Sequence, residues 1–489
     1  MVRGSWRWAA GLLCVPLLAG CTPVSGTSGA QPSVESRAQP GRLPIDLEVG
    51  GERAGGGVVV SGGMPAPYNY GPTVLADGGQ YRVWWCSQLP GIGPPGDDVL
   101  HAASGSPAGP FTDSGGAPAV PVFSGQPGGF DGMHTCDPSV LKVADRYYLY
   151  YTGAAGDDHA HGNSIGVASS ADGRSWRREA DGAPIVRPSG EVHRENAYGA
   201  GQPSALYLEG WFYLMFTDTT ASGAGWNGAG QFVLRARDAE FRSQVEALTG
   251  EGFRPAGGAR ARSVVDAFSA DWMWVPALDA FAIAHQTADG TSVTFWDREF
   301  TSHPYPPVLI SGPWQEGPGL VRRLDGTAPV STSDPCGTVP LDVLRATALL
   351  PAPTDIRHFG IDVTGFDGCA TPEQAAVVLD GFAVPSPART VDVLHDGQRI
   401  RVERRSVAEL LVAGVLDQRV SAVDGLPVVG TIGTGAEALR APSGEVALLD
   451  DEGRLWTVAP EVAAANGSPV TDVSQSEWDS RPRGGDLRR

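Results

Sequence analysis

Asp137-Pro138-Ser139-Val140-Leu141, a polar turn, then Tyr147-Tyr148-Leu149-Tyr150-Tyr151 read as two short strands joined by a turn. Aromatic and β-branched residues bounded by Gly, Asp and Pro favour a pleated, half-buried surface. The pattern recurs. Gly71-Pro72-Thr73-Val74-Leu75 precedes Tyr81-Arg82-Val83-Trp84-Trp85, and Gln202-Pro203-Ser204-Ala205-Leu206 precedes Trp211-Phe212-Tyr213-Leu214-Met215-Phe216. A degenerate fourth copy starts near Asp271 and runs into Ala280-Phe281-Ala282-Ile283-Ala284; a fifth starts near Gly317-Pro318-Gly319-Leu320-Val321. The starts at 71, 137, 202 and 271 are 66, 65 and 69 residues apart, and the last step, to 317, is 46. A further strand such as Ser164–Ser169 and a turn such as Ala171-Asp172-Gly173 complete the unit.

About four strands per unit, repeated five times, is the grammar of a β-propeller. No long amphipathic helix competes within 60–370. The fold expected is therefore all-β, a five-bladed β-propeller over 45–387, followed by a small α+β module. That module is a duplicated hairpin–helix unit at 388–468. Its first copy runs from Val391 to Val402 and into a helix from Ser406 to Ala413, with Ser406 as N-cap and Glu409 at the capping-box position. The second copy runs from Val446 to Val458, then Pro460 to Ala465. The polar tail 469–489 is expected to be disordered.

At the other end, Arg3 and Arg7 flank the short apolar run Ala9–Leu18, too short for a membrane-spanning helix. Residues 1–20 read as a signal peptide. Leu18-Ala19-Gly20-Cys21 resembles the lipobox of bacterial lipoproteins, which implies cleavage before Cys21 and its lipidation. The alternative is an ordinary signal peptide with an incidental cysteine. Residues 21–44 are polar, with almost no large apolar side chain, and form a flexible linker. The expected location is the exported, outer face of a bacterial cytoplasmic membrane, with the lipid anchor as the only membrane contact.

The net charge of −19 and the lack of any basic run exclude nucleic acid as a partner. Beyond Cys14 and Cys21 four cysteines remain, and an even number in an exported chain favours disulfides. The pairs expected are Cys86–Cys136 and Cys336–Cys369, since each falls in neighbouring repeat units; buried free thiols are the alternative. No Cys-x-x-Cys spacing points to a metal. Asp157-Asp158-His159-Ala160-His161 could ligate an ion, but without a further ligand it reads as an exposed loop. No cofactor is expected, although the propeller channel leaves room for a structural cation.

The stretch Asp137-Pro138-Ser139-Val140 … Tyr147-Tyr148-Leu149-Tyr150-Tyr151-Thr152-Gly153 resembles the blade signature of five-bladed glycosidases, especially glycoside hydrolase family 43, which includes β-xylosidases and arabinanases. The resemblance covers roughly 65–330. It implies a base Asp on the first blade, an orienting Asp on the second and a general-acid Glu on the third. By position these fall on Gly71, Asp137 and Gln202, so two of the three carboxylates are replaced. Glycosidase chemistry needs two carboxyl groups, one protonated and one ionised. The candidate catalytic set is therefore Asp137 with Asp131 or Glu195; Glu191, Asp271 and Glu316 are further acids near the inner-strand starts.

Side chains that could stack on or hydrogen-bond to sugar are Tyr68, Asn69, Tyr70, His134, Tyr198, Gln202, Asp218, Asp271 and Trp272. The aromatic strands themselves read as blade-to-blade packing. Gly223-Ala224-Gly225-Trp226-Asn227-Gly228-Ala229-Gly230 lacks the Lys-Ser/Thr of a phosphate loop and reads as a hairpin loop overhanging the funnel. The functional expectation is a cell-surface lipoprotein acting on an oligo- or polysaccharide, a divergent relative of family 43 hydrolases. The alternative is a non-catalytic carbohydrate-binding or envelope-interaction propeller.

Overall fold

Pro72, Pro138, Pro203 and Pro318 each follow a residue with left-handed backbone: Gly71 (φ 56°), Asp137 (47°), Gln202 (50°) and Gly317 (43°). At each of these four places the strand slips register against its neighbour, which is a β-bulge. The computed structural model describes residues 45–63, 66, 68–89, 96–113, 119–156, 162–191, 198–348 and 354–488. The expected signal peptide and linker, with Cys21, Glu195 and the 157–161 loop, lie outside them. By contacts the chain divides into Met1–Gly41 and Arg42–Arg489, and every described residue belongs to the second unit.

The described residues are mostly strand. Unit I holds β2 (Asn69–Asp77), β3 (Gln80–Gln88), β4 (Asp97–Ser104) and β5 (Val120–Phe123), preceded in the chain by β1 (Glu48–Val60). Unit II holds β6 (His134–Val143), β7 (Arg146–Ala154), β8 (Ser164–Ser170) and β9 (Arg177–Arg178). Unit III holds β10 (Ala200–Leu208), β11 (Trp211–Asp218), β12 (Gln231–Ala236), β13 (Glu246–Thr249) and β14 (Gly252–Pro255). Unit IV holds β15 (Ala270–Val275), β16 (Ala280–Thr287), β17 (Gly290–Trp296) and β18 (Val308–Ser311). Unit V holds β19 (Glu316–Arg323), β20 (Val339–Ala346) and β21 (Ile356–Thr364), and β1 completes it by pairing antiparallel with β21. Arg53 clamps β1 there through Asp342 at 2.9 Å and Asp362 at 2.7 Å.

Each unit's first strand touches the next unit's first strand, β2 to β6, β6 to β10, β10 to β15, β15 to β19, and β19 back to β2. The last contact is a parallel pairing, Val321 with Val74, which merges units V and I into one eight-stranded sheet. The hydroxyl after three of the four repeat prolines bolts neighbouring units together. Ser139 Oγ accepts from Ala205 N at 2.9 Å, Ser204 Oγ from Trp272 N at 3.4 Å, and Thr73 Oγ1 from Arg322 Nη2 at 2.9 Å. The aromatic strands bury themselves between units, as their pattern implies: the Trp84 indole donates to Gly173 O, and the Tyr150 hydroxyl to Ala239 O. Apolar clusters lie between each adjacent pair, I–II, II–III, III–IV, IV–V and V–I.

Both expected disulfides are present, Cys86–Cys136 and Cys336–Cys369. The first ties unit I to unit II beside Asp137. It closes a loop of sequence separation 50, so replacing both cysteines by Ala should cost about 2–4 kcal/mol. The thermal midpoint of the double variant against the parent checks this.

The C-terminal part is larger than expected and begins earlier. After α1 (Pro372–Val378), β22 (Phe382–Pro385), β23 (Val391–His395), β24 (Gln398–Val402), α2 (Arg405–Leu411), β25 (Gly414–Val415) and β26 (Val428–Ile432) form one copy. The second is β27 (Ala438–Arg440), β28 (Val446–Leu449), β29 (Leu455–Val458), α3 (Pro460–Asn466), β30 (Val470–Asp472), α4 (Gln475–Ser480) and β31 (Arg483–Asp486). Their sheets run β25-β22-β23-β24-β26 and β30-β27-β28-β29-β31, the same order twice. The tail expected to be disordered thus supplies two strands and a helix, with Trp478 and Leu487 each 3 % exposed. α2 starts at Arg405 with Arg404 as N-cap and no capping side chain, and Glu409 pairs with Arg405 instead. α1 packs on the turn Pro276–Leu278, and Arg323 Nη2 donates to Asp380 O. Both contacts lie at the far ends of inner strands, away from the bulges.

Candidate active site

The bulged ends of β2, β6, β10 and β19, with the start of β15, surround a cavity of about 40 Å³ lined by Gly71, Asp137, Gln202, Ser269, Asp271 and Glu316 among others. That volume holds a few waters, not a sugar ring. β15 runs in unbroken register with β16, so unit IV lacks the bulge and contributes no left-handed residue.

Asp137 and Gln202 are the two non-glycine residues held left-handed at this ring, a conformation costing on the order of 1 kcal/mol or more and concentrated at functional sites. Gly71 and Gly317 are glycines for a visible reason. A Cβ on Gly71 would lie 3.3 Å from Asp137 Oδ1, and one on Gly317 only 3.0 Å from Gly71 Cα. The first-unit carboxylate that the family resemblance implies would have to adopt the left-handed φ of 56° and push the Asp137 carboxylate aside by a few tenths of an ångström.

Three carboxylates gather around this mouth: Asp137 from unit II, Glu316 from unit V and Asp97 from the start of β4 in unit I. The fields of Asp137 and Asp97 both act on Glu316. Burial first, and those two carboxylates second, push the Glu316 carboxyl up to about 8, so it carries its proton at neutral pH. Burial also raises Asp137. Hydrogen bonds to Thr152 and Tyr198 and the nearby His134 pull it back down, and the Asp97 charge adds to the rise. The Tyr198 hydroxyl donates to Asp137 Oδ2 at 3.2 Å, and Thr152 Oγ1 accepts from Gln202 N at 2.8 Å. Asp97 Oδ2 accepts from the Tyr70 hydroxyl at 2.6 Å and lies 3.2 Å from His134 Nδ1. Burial raises Tyr70 and Tyr198 well above the usual phenol range, so both stay neutral donors. The next residue, Asp98, is 1 % exposed beside Ser124, and burial raises it to about 6.

Among the sequence candidates, Asp137, Tyr70, His134, Tyr198 and Gln202 come together here, with Tyr68 edge-on to Tyr70 at 6.0 Å between ring centroids. The amide oxygen of Gln202 accepts from the Ser269 hydroxyl. Others are placed elsewhere. Asp131, expected as an acid partner, is fully buried and bound by Arg178 and the Tyr151 hydroxyl at 2.7 and 2.9 Å, so it is a structural ion pair. Asn69 is a buried bracket between Ala66, Thr354 and the Trp85 indole. Asp218 is fully buried and paired with Arg260. Trp272 has no exposed surface and donates to Ser204 O. Asp271 lines the cavity, yet its oxygens are taken by Leu320 N, the Ser204 hydroxyl and Arg322. These corrections share a cause: the partner that buries each polar group is remote in sequence.

Asp97 is the residue that sequence reasoning missed. It opens the third strand of its unit, after residues 90–95, and no inner-strand motif marks it.

No family model and no curated protein matches this chain. Solved structures do resemble it. Zg3597, a family 117 glycoside hydrolase of the marine bacterium Zobellia galactanivorans, is 13 % identical with a TM-score of 0.43 over 66 % of this chain and 92 % of that one. The alpha-L-arabinofuranosidase PaAbf62A from Podospora anserina is 11 % identical, TM-score 0.40, over 65 % and 98 %. The catalytic domain of Coprinopsis cinerea GH62 alpha-L-arabinofuranosidase is 12 % identical, TM-score 0.40, over 64 % and 97 %.

Proposed function

We propose that this chain is a lipid-anchored, exported five-bladed β-propeller that hydrolyses an oligo- or polysaccharide, a divergent relative of family 43 glycosidases. Units I to V are its blades, and β1 closes the fifth. Glu316 donates the proton to the leaving oxygen. Asp137 is the ionised carboxylate opposite it, and Asp97 is held by Tyr70 and His134 as a third charge that keeps Glu316 protonated. The observation that carries the reading is three carboxylates from three blades at one mouth, one of them raised to about 8. The acid therefore comes from the fifth blade instead of the third, and Gln202 serves as a hydrogen-bonding group.

Glu48 pairs with Thr364, whereas Val60 and Glu316 lie at the opposite, mouth end of blade V through Ile356 and Ala346. A non-catalytic carbohydrate-binding propeller is the second reading, favoured by Gly71 and Gln202 at two positions where the family resemblance implies acids.

The test is turnover of a panel of aryl glycosides and natural oligosaccharides by the protein lacking residues 1–43, alongside Asp137→Asn. Hydrolysis that falls about 10²–10⁴-fold in the variant supports the enzyme. Saturable glycan binding without turnover selects the binding protein, and the absence of both removes a glycan role.

A further inference from the structure

Cys86 and Cys136 have almost no exposed surface, and their bridge lies at the acid cluster. Both Sγ atoms and a carboxylate oxygen of Asp97 lie within 4.8 Å of one another. Cys136 directly precedes Asp137 and makes the last ladder pair before the register slip of β6. Cys86 stands opposite Tyr70 on β2 and Val99 on β4, and the Tyr70 hydroxyl is the one that donates to Asp97. Two short segments, one from each unit, run against each other here. A Cβ on Gly96 would run into Met133 O, and Thr135 Oγ1 donates to Asp97 O at 3.3 Å.

Two other junctions are held by hydroxyls, Ser139 taking Ala205 N across II–III and Ser204 taking Trp272 N across III–IV. Thr73, their counterpart in unit I, accepts from Arg322 of unit V, and those two units also share a strand pairing. At the I–II junction a covalent bond links the units beside the cavity. Asp97 and Asp137, one from each side of that bond, are the two charges that act on Glu316.

We propose that the Cys86–Cys136 bridge is a positioning element of the acid cluster: it holds Asp97 and Asp137 at fixed places around Glu316, so the cluster is assembled only in the oxidised chain. This rests on the hydrolase reading and deepens it to what keeps that site in order. Carboxylates crowded in a buried site repel one another, and the charged ones move apart unless something holds them. A misplacement of about 1 Å at a reacting group can cost ~10²-fold in rate. Tyr68, Tyr70 and Tyr198 share the field of Glu316, and His134 lies against Asp97. Asp97 moving away therefore removes part of what keeps the proton on Glu316.

The experiment compares the full-length chain with two double variants, Cys86→Ala/Cys136→Ala and Cys336→Ala/Cys369→Ala. The second bridge is the control, since its cysteines flank the pair Val339–Val363 at the end of unit V away from the mouth. The thermal midpoint should fall in both. On α-1,5-arabinotriose or β-1,4-xylotriose, kcat should fall about ten- to a hundred-fold in the first pair only, and its alkaline limb should move to lower pH. Melting from pH 5 to 8 reads the same proton without substrate. A Glu316 that releases its proton earlier contributes less of the loss over that interval, so the first pair should lose less stability than the control. Equal kcat, limb and melting profile in the two pairs overturn the positioning role and leave the hydrolase reading intact. No turnover by the parent, with the flatter melting profile in the first pair, supports the positioning role and removes catalysis. No turnover and equal profiles overturn both. Cys86→Val/Cys136→Ala, which refills part of the lost volume, replaces the first pair if that does not fold. If neither folds while the control does, the bridge is a staple of the fold and the positioning role is overturned.

Discussion

Glu316→Gln should lower hydrolysis about 10²–10⁴-fold, the range expected for loss of a general acid, while the protein keeps its fold. Glutamine preserves shape and hydrogen-bonding capacity but has no transferable proton. The pH profile should carry the same signature. In the parent, kcat/KM should fall on an alkaline limb near 8, where Glu316 loses its proton, and the residual activity of the variant should lack that limb. An unchanged rate or an unchanged limb would remove Glu316 from the mechanism.

Stability supplies an independent reading of the same carboxyl. Its folded pKa lies above its ordinary 4.5. Between about 4.5 and 8 the native state therefore holds a proton that the unfolded chain has released. Its contribution is fully present below 4.5 and is lost as pH rises through 8. Asp98, raised to about 6, and Asp137, also raised, act with the same sign. Melting curves of parent and Glu316→Gln compared from pH 5 to 8 isolate the Glu316 share. The variant should lose less stability over that interval.

Much of the fold was legible in the chain because the repeat is local. The residue–Pro–hydroxyl–apolar–apolar run encodes a bulge, a bolt between units and a buried strand within five positions, so three of the five units are marked by it directly. The Cys86–Cys136 disulfide was readable because its cysteines fall in adjacent units. Completion of unit V by β1 was not. β1 has the Gly-rich sequence Glu48-Val49-Gly50-Gly51-Glu52-Arg53 and so on, and it is a strand because Arg53 finds Asp342 and Asp362 some 300 residues later. The closing strands of the second C-terminal copy were hidden in the same way. Val470–Asp472 is exposed and weakly patterned, and it pairs only because β27 offers a parallel edge. At the mouth, Asp137 was readable from the repeat and Glu316 from its place beside the fifth start, but the choice between acids depends on who surrounds them. Asp131 and Asp97 look alike in sequence; Arg178 buries the first as an ion pair, while Tyr70 and His134 hold the second at the mouth.

Asp271 makes that distinction testable through its partner. Arg322 has no exposed surface and spans four units: Nη1 donates to Ala205 O and Trp272 O at 3.0 Å each, Nη2 to Thr73 Oγ1 at 2.9 Å, and the guanidinium faces Asp271 Oδ1 at 3.3 Å. Arg322→Met keeps most of the volume but leaves two carbonyls short of a donor and Asp271 buried without its cation. Removing one partner of a buried pair typically costs about 3–5 kcal/mol, and the thermal midpoint should drop accordingly. Asp271→Asn alone should also destabilise, since Asp271 accepts from Leu320 N at 2.7 Å and from the Ser204 hydroxyl. Combined with Arg322→Met it should cost less than the sum of the two, because the second change removes the charge that the first stranded. Additive losses would mean that Asp271 and Arg322 act separately. A loss of glycan affinity in Asp271→Asn without a change in midpoint would return Asp271 to the substrate site, and the cavity wall it lines would then have to be read as part of the binding surface.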